Sequence, residues 1–170
     1  MPSDERFDLV NESGEVIGSA WRSACHGDPK LIHPVVHCLV TSNAGDLLLQ
    51  LRSRNKVIQP GKWDTSVGGH VGQGEEIEAA LAREIEEEIG ILASELELRF
   101  LYRYVMRSAV ETELVHTFTC RCEGPFARLE SEIDELRFWS RGQITAALGS
   151  GIFTPNFEDE FQRFVAWGKL

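Results

Sequence analysis

The sequence has no apolar run long enough to span a bilayer, no CxxC pair, no internal repeat and no low-complexity tract. Without a stretch of about 20 consecutive apolar residues a transmembrane helix is excluded. The opening MPSDERFDLV carries charge instead of an apolar signal region, so the expected location is the cytoplasm, with no membrane partner. Cysteine is scarce, and Cys25, Cys38, Cys120 and Cys122 follow no zinc-site spacing, so free and mostly buried thiols are expected. Basic residues are also in deficit, 17 Lys and Arg against 27 Asp and Glu, for a formal net charge of −10. Binding a nucleic-acid backbone needs an excess of Lys and Arg, which excludes nucleic acid as the main partner. A small anion stays open as a ligand, provided that cations and a local basic patch neutralise it.

What is present fits one domain spanning 1–170, with 42% hydrophobic residues to build a single core. A hairpin at about 7–20 is expected from FDLVN and VIGSA around the turn Asn11-Glu12-Ser13-Gly14. After the connecting segment SACHGDPKLIHP, a second hairpin pairs VVHCLVT with DLLLQLRS. The basic loop RSRNKVIQPGKW then leads to the short strand TSVGG and a helix. LELRFLYRYVM and ELVHTFTCRCE read as long strands joined near Ser108 to Glu111, and ELRFWS as a last strand. Two helices close the chain within about 142–168. This order predicts an α/β domain with a mixed sheet between helices. The apolar N-terminal hairpins offer a surface for a homodimer.

Residues 69–91, GHVGQGEEIEAALAREIEEEIGI, carry the chemistry. Ile77, Leu81, Ile85 and Ile89 form an i+4 apolar stripe that fixes the helix on a core. Glu84, Glu87 and Glu88 stand at i, i+3 and i+4, where like charges repel. A hard divalent cation cancels that repulsion, and magnesium takes a few carboxylate oxygens together with waters and substrate phosphates. The glycines in front, Gly68, Gly69, Gly72 and Gly74, permit the close backbone approach of a phosphate-contacting loop.

The segment resembles the Nudix box, Gly-x5-Glu-x7-Arg-Glu-U-x-Glu-Glu-x-Gly-U, where U is a bulky aliphatic residue. Gly69, Glu75, Arg83, Glu84, Ile85, Glu87, Glu88, Gly90 and Ile91 fill its fixed positions. The resemblance implies a Nudix fold, an α/β/α sandwich, with Mg2+ or Mn2+ on Glu84, Glu87 and Glu88. It also implies that Arg83 orients a glutamate and that Gly69 and Gly90 shape the ends of the motif.

From about residue 7 to 157 the chain is also similar to type 1 isopentenyl-diphosphate isomerase. That resemblance places His26, His33, His70, Glu111 and Glu113 at a second divalent-metal site, and a set of neutral imidazoles and carboxylates suits manganese, zinc or magnesium. It places Arg22, Arg52 and Lys56 on the diphosphate. The isomerase pattern breaks at Gly68, where its proton-transferring cysteine would stand, and its carbocation-sheltering tryptophan has no counterpart nearer than Phe157. The complete glutamate ridge therefore favours magnesium-assisted hydrolysis of a small-molecule diphosphate, such as a nucleoside diphosphate derivative. Glu132 and Glu135 join the ridge glutamates as candidate general bases, and Trp63, Trp139 and Phe157 could stack on a base, although aromatic residues in strands and at helix starts more often belong to the core. Isomerisation and non-catalytic diphosphate binding are the alternatives.

Overall fold

The computed structural model describes residues 4–169. The first hairpin consists of β1 (Arg6–Val10) and β2 (Val16–Trp21), followed by a single turn of helix, α1 (Arg22–Cys25). The main sheet is built from β3 (Ile32–Thr41), β4 (Leu47–Arg52), β5 (Trp63–Asp64), β6 (Val67–His70), β7 (Arg99–Arg107), β8 (Thr112–Arg121) and β9 (Ile133–Trp139). Its helices are α2 (Ile77–Ile89), α3 (Arg141–Ala147) and α4 (Pro155–Trp167). The strand path is β5-β4-β3-β8-β7, with β6 on β3 and β9 on β4. The β3–β8 pair is parallel and the others are antiparallel, so the sheet is mixed as expected.

Alternation along β3 divides the core. Val36, Cys38 and Val40 face α2 and pack with Leu81, Ile85 and Ile89 of the predicted stripe. Leu39, on the opposite face, packs with Leu47 and Leu49 against Phe157, Phe161 and Phe164 of α4. Helices on both faces of one sheet make the α/β/α sandwich.

The second hairpin differs from expectation. β3 and β4 meet only at Thr41↔Leu47, because β3 continues alongside β6 while β4 turns to β9 and β5. Val35 and His37 of β3 and Gln50 and Arg52 of β4, on the two sides of this divergence, line one cavity.

Candidate active site

Two turn-and-cap features set the position of the acidic helix. Gly90 ends α2 in the left-handed region at φ 71°, and a Cβ there would meet the Ala127 Cβ at 2.8 Å. Along the C-terminal half of the same helix, β6 pairs with β3 by one edge and turns the other to α2. The Gly68 N–H donates to Glu88 Oε2 at 3.0 Å. Gly69 lies so close to the helix that an added Cβ would stand 2.1 Å from Glu84 Cδ. Glycine is required there to let the carboxylate in.

Arg83 organises the ridge. Its Nε and Nη2 donate to the two oxygens of Glu75 at 3.0 Å each, Nη1 donates to Glu84 Oε1 at 2.7 Å, and Nη2 also donates to the His70 carbonyl at 3.0 Å. A planar fork meeting a carboxylate at both oxygens is a strong, directional contact. It holds the Glu75 carboxyl below its ordinary range. Burial pushes the Glu84 carboxyl up, against the pull of Arg83. Burial also pushes Glu88 well above the usual carboxylate range, reinforced by the charge of Glu84. Glu87 stays exposed. Among the described residues, the three ridge glutamates do not bring their oxygens within 4.8 Å of one another. As they stand the three carboxylates do not converge on one ion, so one or two of them would bind magnesium directly, with waters and substrate oxygens completing its shell. Glu88 supports the fit, being a nearly buried carboxylate with no cationic side chain among its described contacts.

The second predicted set comes together. His26 Nε2 lies 3.2 Å from His70 Nε2 and 3.2 Å from Glu111 Oε2. His33 Nε2 is 3.8 Å from Glu111 Oε2 and 3.9 Å from Glu113 Oε1. His26, His33 and His70 form one group of three potential ligands within 4.8 Å, and His33, Glu111 and Glu113 form another. Burial lowers all three imidazoles, His33 to about 4, so their ring nitrogens are lone-pair donors at neutral pH. Both ring nitrogens of His33 and Glu111 Oε2 are buried without a hydrogen-bond partner. Buried orphan donors of this chemistry fit a divalent ion. Phe7 of β1, which the sequence did not single out, stacks on His70 at 4.7 Å and on His33 at 5.3 Å between centroids.

Both groups open on one cavity of about 1160 Å³. Arg22, Arg52 and Lys56 line it, each already in an ion pair. Arg22 meets Glu5 at 3.0 Å, Arg52 meets Asp64 at 3.4 Å, and Lys56 meets Glu132. Of the two late-loop base candidates, Glu132 lines the cavity, whereas Glu135 sits on β9 with its carboxylate 2.9 Å from Arg137. Of the two readings of the aromatics the structure supports the core: Trp63 and Phe157 of α4 are buried in one apolar cluster and Trp139 packs against it.

The NUDIX domain model matches residues 31–157 of the chain. Relatives with different names match about equally well. The isopentenyl-diphosphate Delta-isomerase of Paenarthrobacter aurescens is 30% identical over 152 residues, covering 87% of this chain and 83% of that protein. The uncharacterised Nudix hydrolase YfcD of Escherichia coli is 30% identical over 169 residues, covering 99% and 89%. Among solved structures, DR0079 from Deinococcus radiodurans superposes with a TM-score of 0.82 at 26% identity, covering 94% of this chain and 98% of that one. The MutT protein of Methanosarcina mazei gives 0.68 at 25% identity, over 84% and 98%.

Proposed function

The chain belongs to the NUDIX domain family, and from that premise we propose that it is a divalent-metal-dependent hydrolase cleaving the diphosphate bond of a nucleoside diphosphate derivative or a similar small diphosphate. The observation that carries this reading is Glu88, a nearly buried carboxylate beside Glu84 at the wall of a cavity that also holds basic side chains. Burial and mutual charge work against ionising these two acids together, and a divalent cation between them would offset that cost.

Glu84, Glu87 and Glu88 would hold magnesium, directly or through its waters, and the ion would supply a Lewis acid for phosphate oxygens and a more acidic water. Arg83 keeps Glu84 and Glu75 in place from one side of the ridge. Arg52, Lys56 and Arg22 exchange their present carboxylate partners for the phosphates and neutralise the departing group. Glu132, or a ridge glutamate, accepts the proton of the attacking water, and Glu132 becomes free to do so as Lys56 turns to the phosphate. His26, His33, His70, Glu111 and Glu113 would hold a second divalent ion on the same cavity.

One observation favours isomerisation as a second reading, namely the assembled histidine–glutamate group. Hydrolysis is preferred because Gly68 offers no side chain to move a proton to or from carbon. The two separate cleanly. Hydrolysis predicts Mg2+-dependent release of phosphate or a monophosphate from a diphosphate panel, reduced at least ~100-fold in Glu87→Gln and in Glu88→Gln. Full activity in both variants would sink the hydrolytic reading. Deuterium uptake from D2O into isopentenyl diphosphate would establish isomerisation instead.

A further inference from the structure

One side chain on the cavity floor has no part in the scheme above. His37 of β3 belongs to a row that crosses four strands, since it pairs with Gly68 of β6 on one side and Thr117 of β8 on the other, and Thr117 pairs with Tyr102 of β7. Glu160 of α4 caps this row. Its Oε1 accepts from the Thr117 hydroxyl at 2.8 Å and lies 3.1 Å from His37 Nδ1, while its Oε2 accepts from the Tyr102 hydroxyl at 2.8 Å. Glu160 is fully buried, and a carboxylate in that position needs a cation. A protonated His37 ring, with Nδ1–H donating to Glu160, would supply that charge at contact distance, while Arg163 of α4 interacts with the same carboxylate by charge alone. Burial alone would lower the His37 pKa, but the hydrogen bond and charge of Glu160 raise it, with smaller help from Glu113 of β8 and Asp64 of β5.

The other ring nitrogen is directed away from this network. Nε2 makes no hydrogen bond among the described residues, and His37 lines the cavity together with Val35 and Gly68. An added Cβ at residue 68 would stand 3.6 Å from Nε2 and 3.3 Å from Cδ2, so glycine leaves the ring uncovered. A buried His–Glu pair that served packing alone would gain from being covered. Gly68 also donates to Glu88, which places this nitrogen one residue from the acidic ridge.

We propose that the floor around His37 is the subsite for the organic part of the substrate, and that Nε2–H donates a hydrogen bond to a carbonyl oxygen on that part. The inference rests on the reading that the diphosphate lies at the glutamate ridge. A neutral carbonyl fits better than a carboxylate, because Glu160 already balances the imidazolium and the cavity walls carry Glu84, Glu88 and Glu113. A saturated or alkenyl chain would leave the buried donor unpaired.

The test compares 4-oxopentyl diphosphate with n-pentyl diphosphate, alike in length and charge. Binding is measured by calorimetry with Ca2+ in place of Mg2+, to keep the diphosphate at the ridge while slowing turnover, the ring nitrogens by 15N NMR of histidine-labelled protein, and turnover separately with Mg2+. The intact chain is expected to bind the carbonyl compound about tenfold more tightly, as one hydrogen bond from a charged donor allows. Its Nε2 resonance shifts with that compound alone. The preference disappears in His37→Gln. It disappears also in Gly68→Ala, whose methyl covers the ring while Glu160 keeps its partner, so a folding defect in the first variant does not decide the matter. Equal affinities in the unmodified protein, an unmoved Nε2 resonance, or a preference that survives Gly68→Ala would each overturn the subsite. Hydrolysis of both compounds at equal rates without the binding preference refutes the subsite and leaves the hydrolase standing. The preference without any turnover supports the subsite and refutes the hydrolase.

Discussion

At the scale of single residues, the site depends on side chains that are missing as much as on those present. Gly69 is the sharpest case, because the Glu84 carboxylate fills the volume a Cβ would take. Gly69→Ala is therefore expected to push Glu84 off the ridge and away from Arg83, lowering kcat at least ~10-fold, since misplacement by ~1 Å is enough for losses of that order. Far-UV circular dichroism should stay unchanged, because β6 is extended at that point. Unaltered kinetics in a folded Gly69→Ala protein would show that Glu84 is not held for metal chemistry. The box positions were legible in the sequence because fixed spacing along a helix is local information, whereas the five histidine and glutamate residues, spread from position 26 to 113, were reached only through the resemblance to the isomerase. His37 with Glu160 was not legible. The two residues lie 123 positions apart, and the row that joins them exists only through the parallel β3–β8 register. Trp63 and Phe157 stayed open between ligand and core for a related reason, since an aromatic residue in a strand or at a helix start looks the same in sequence in either place, and the structure puts both in the core.

At the scale of elements, the hairpin β1–β2 does more than extend the fold. Phe7 is buried, and its ring forms a wall for His33 and His70. The hairpin was legible from its turn residues, whereas its docking on the histidines was not, because nothing local to FDLVN encodes a partner near residue 70. Phe7→Ala is expected to destabilise the protein by about 3–5 kcal/mol, the usual cost of removing a buried phenylalanine. Phe7→Leu should cost less because it keeps most of the apolar volume, at the loss of ring stacking. Urea melts of the three proteins check the ranking. If the alanine variant unfolded at the same midpoint, the hairpin would be an ornament and not a wall of the site. The helix α2 shows the complementary case, in which an element was readable throughout. Its stripe, its acidic face and its closing Gly90 all belong to one contiguous stretch.

At the scale of the whole molecule, a chain of net charge −10 gathers acids around one cavity and must meet the cost of burying them. Glu113 shows how it does so, since burial, aided by the charge of Glu111, raises its pKa to about 7. A raised carboxyl contributes stability that is complete below its unfolded value and is lost as pH rises through about 7. The neighbouring His33, lowered to about 4, behaves oppositely, contributing above its ordinary value and losing that contribution as pH falls through about 4. Between pH 6 and 8 the proton on Glu113 is thus the one that a metal ion at the proposed histidine–glutamate site must displace, while the imidazole of His33 is already neutral. Affinity for Mn2+ at that site should rise by about tenfold across this interval, following the fraction of ionised carboxylate. The ridge also contains raised carboxyls, so the measurement belongs in a Glu88→Gln background, where the first site is weakened. In that background the Mn2+-induced increase in Tm is expected to be larger at pH 8 than at pH 6, and Glu113→Gln should reduce the increase and flatten its pH dependence. A shift of equal size at both pH values, or one indifferent to Glu113, would mean that manganese binds elsewhere and that the histidine cluster is held together by burial alone.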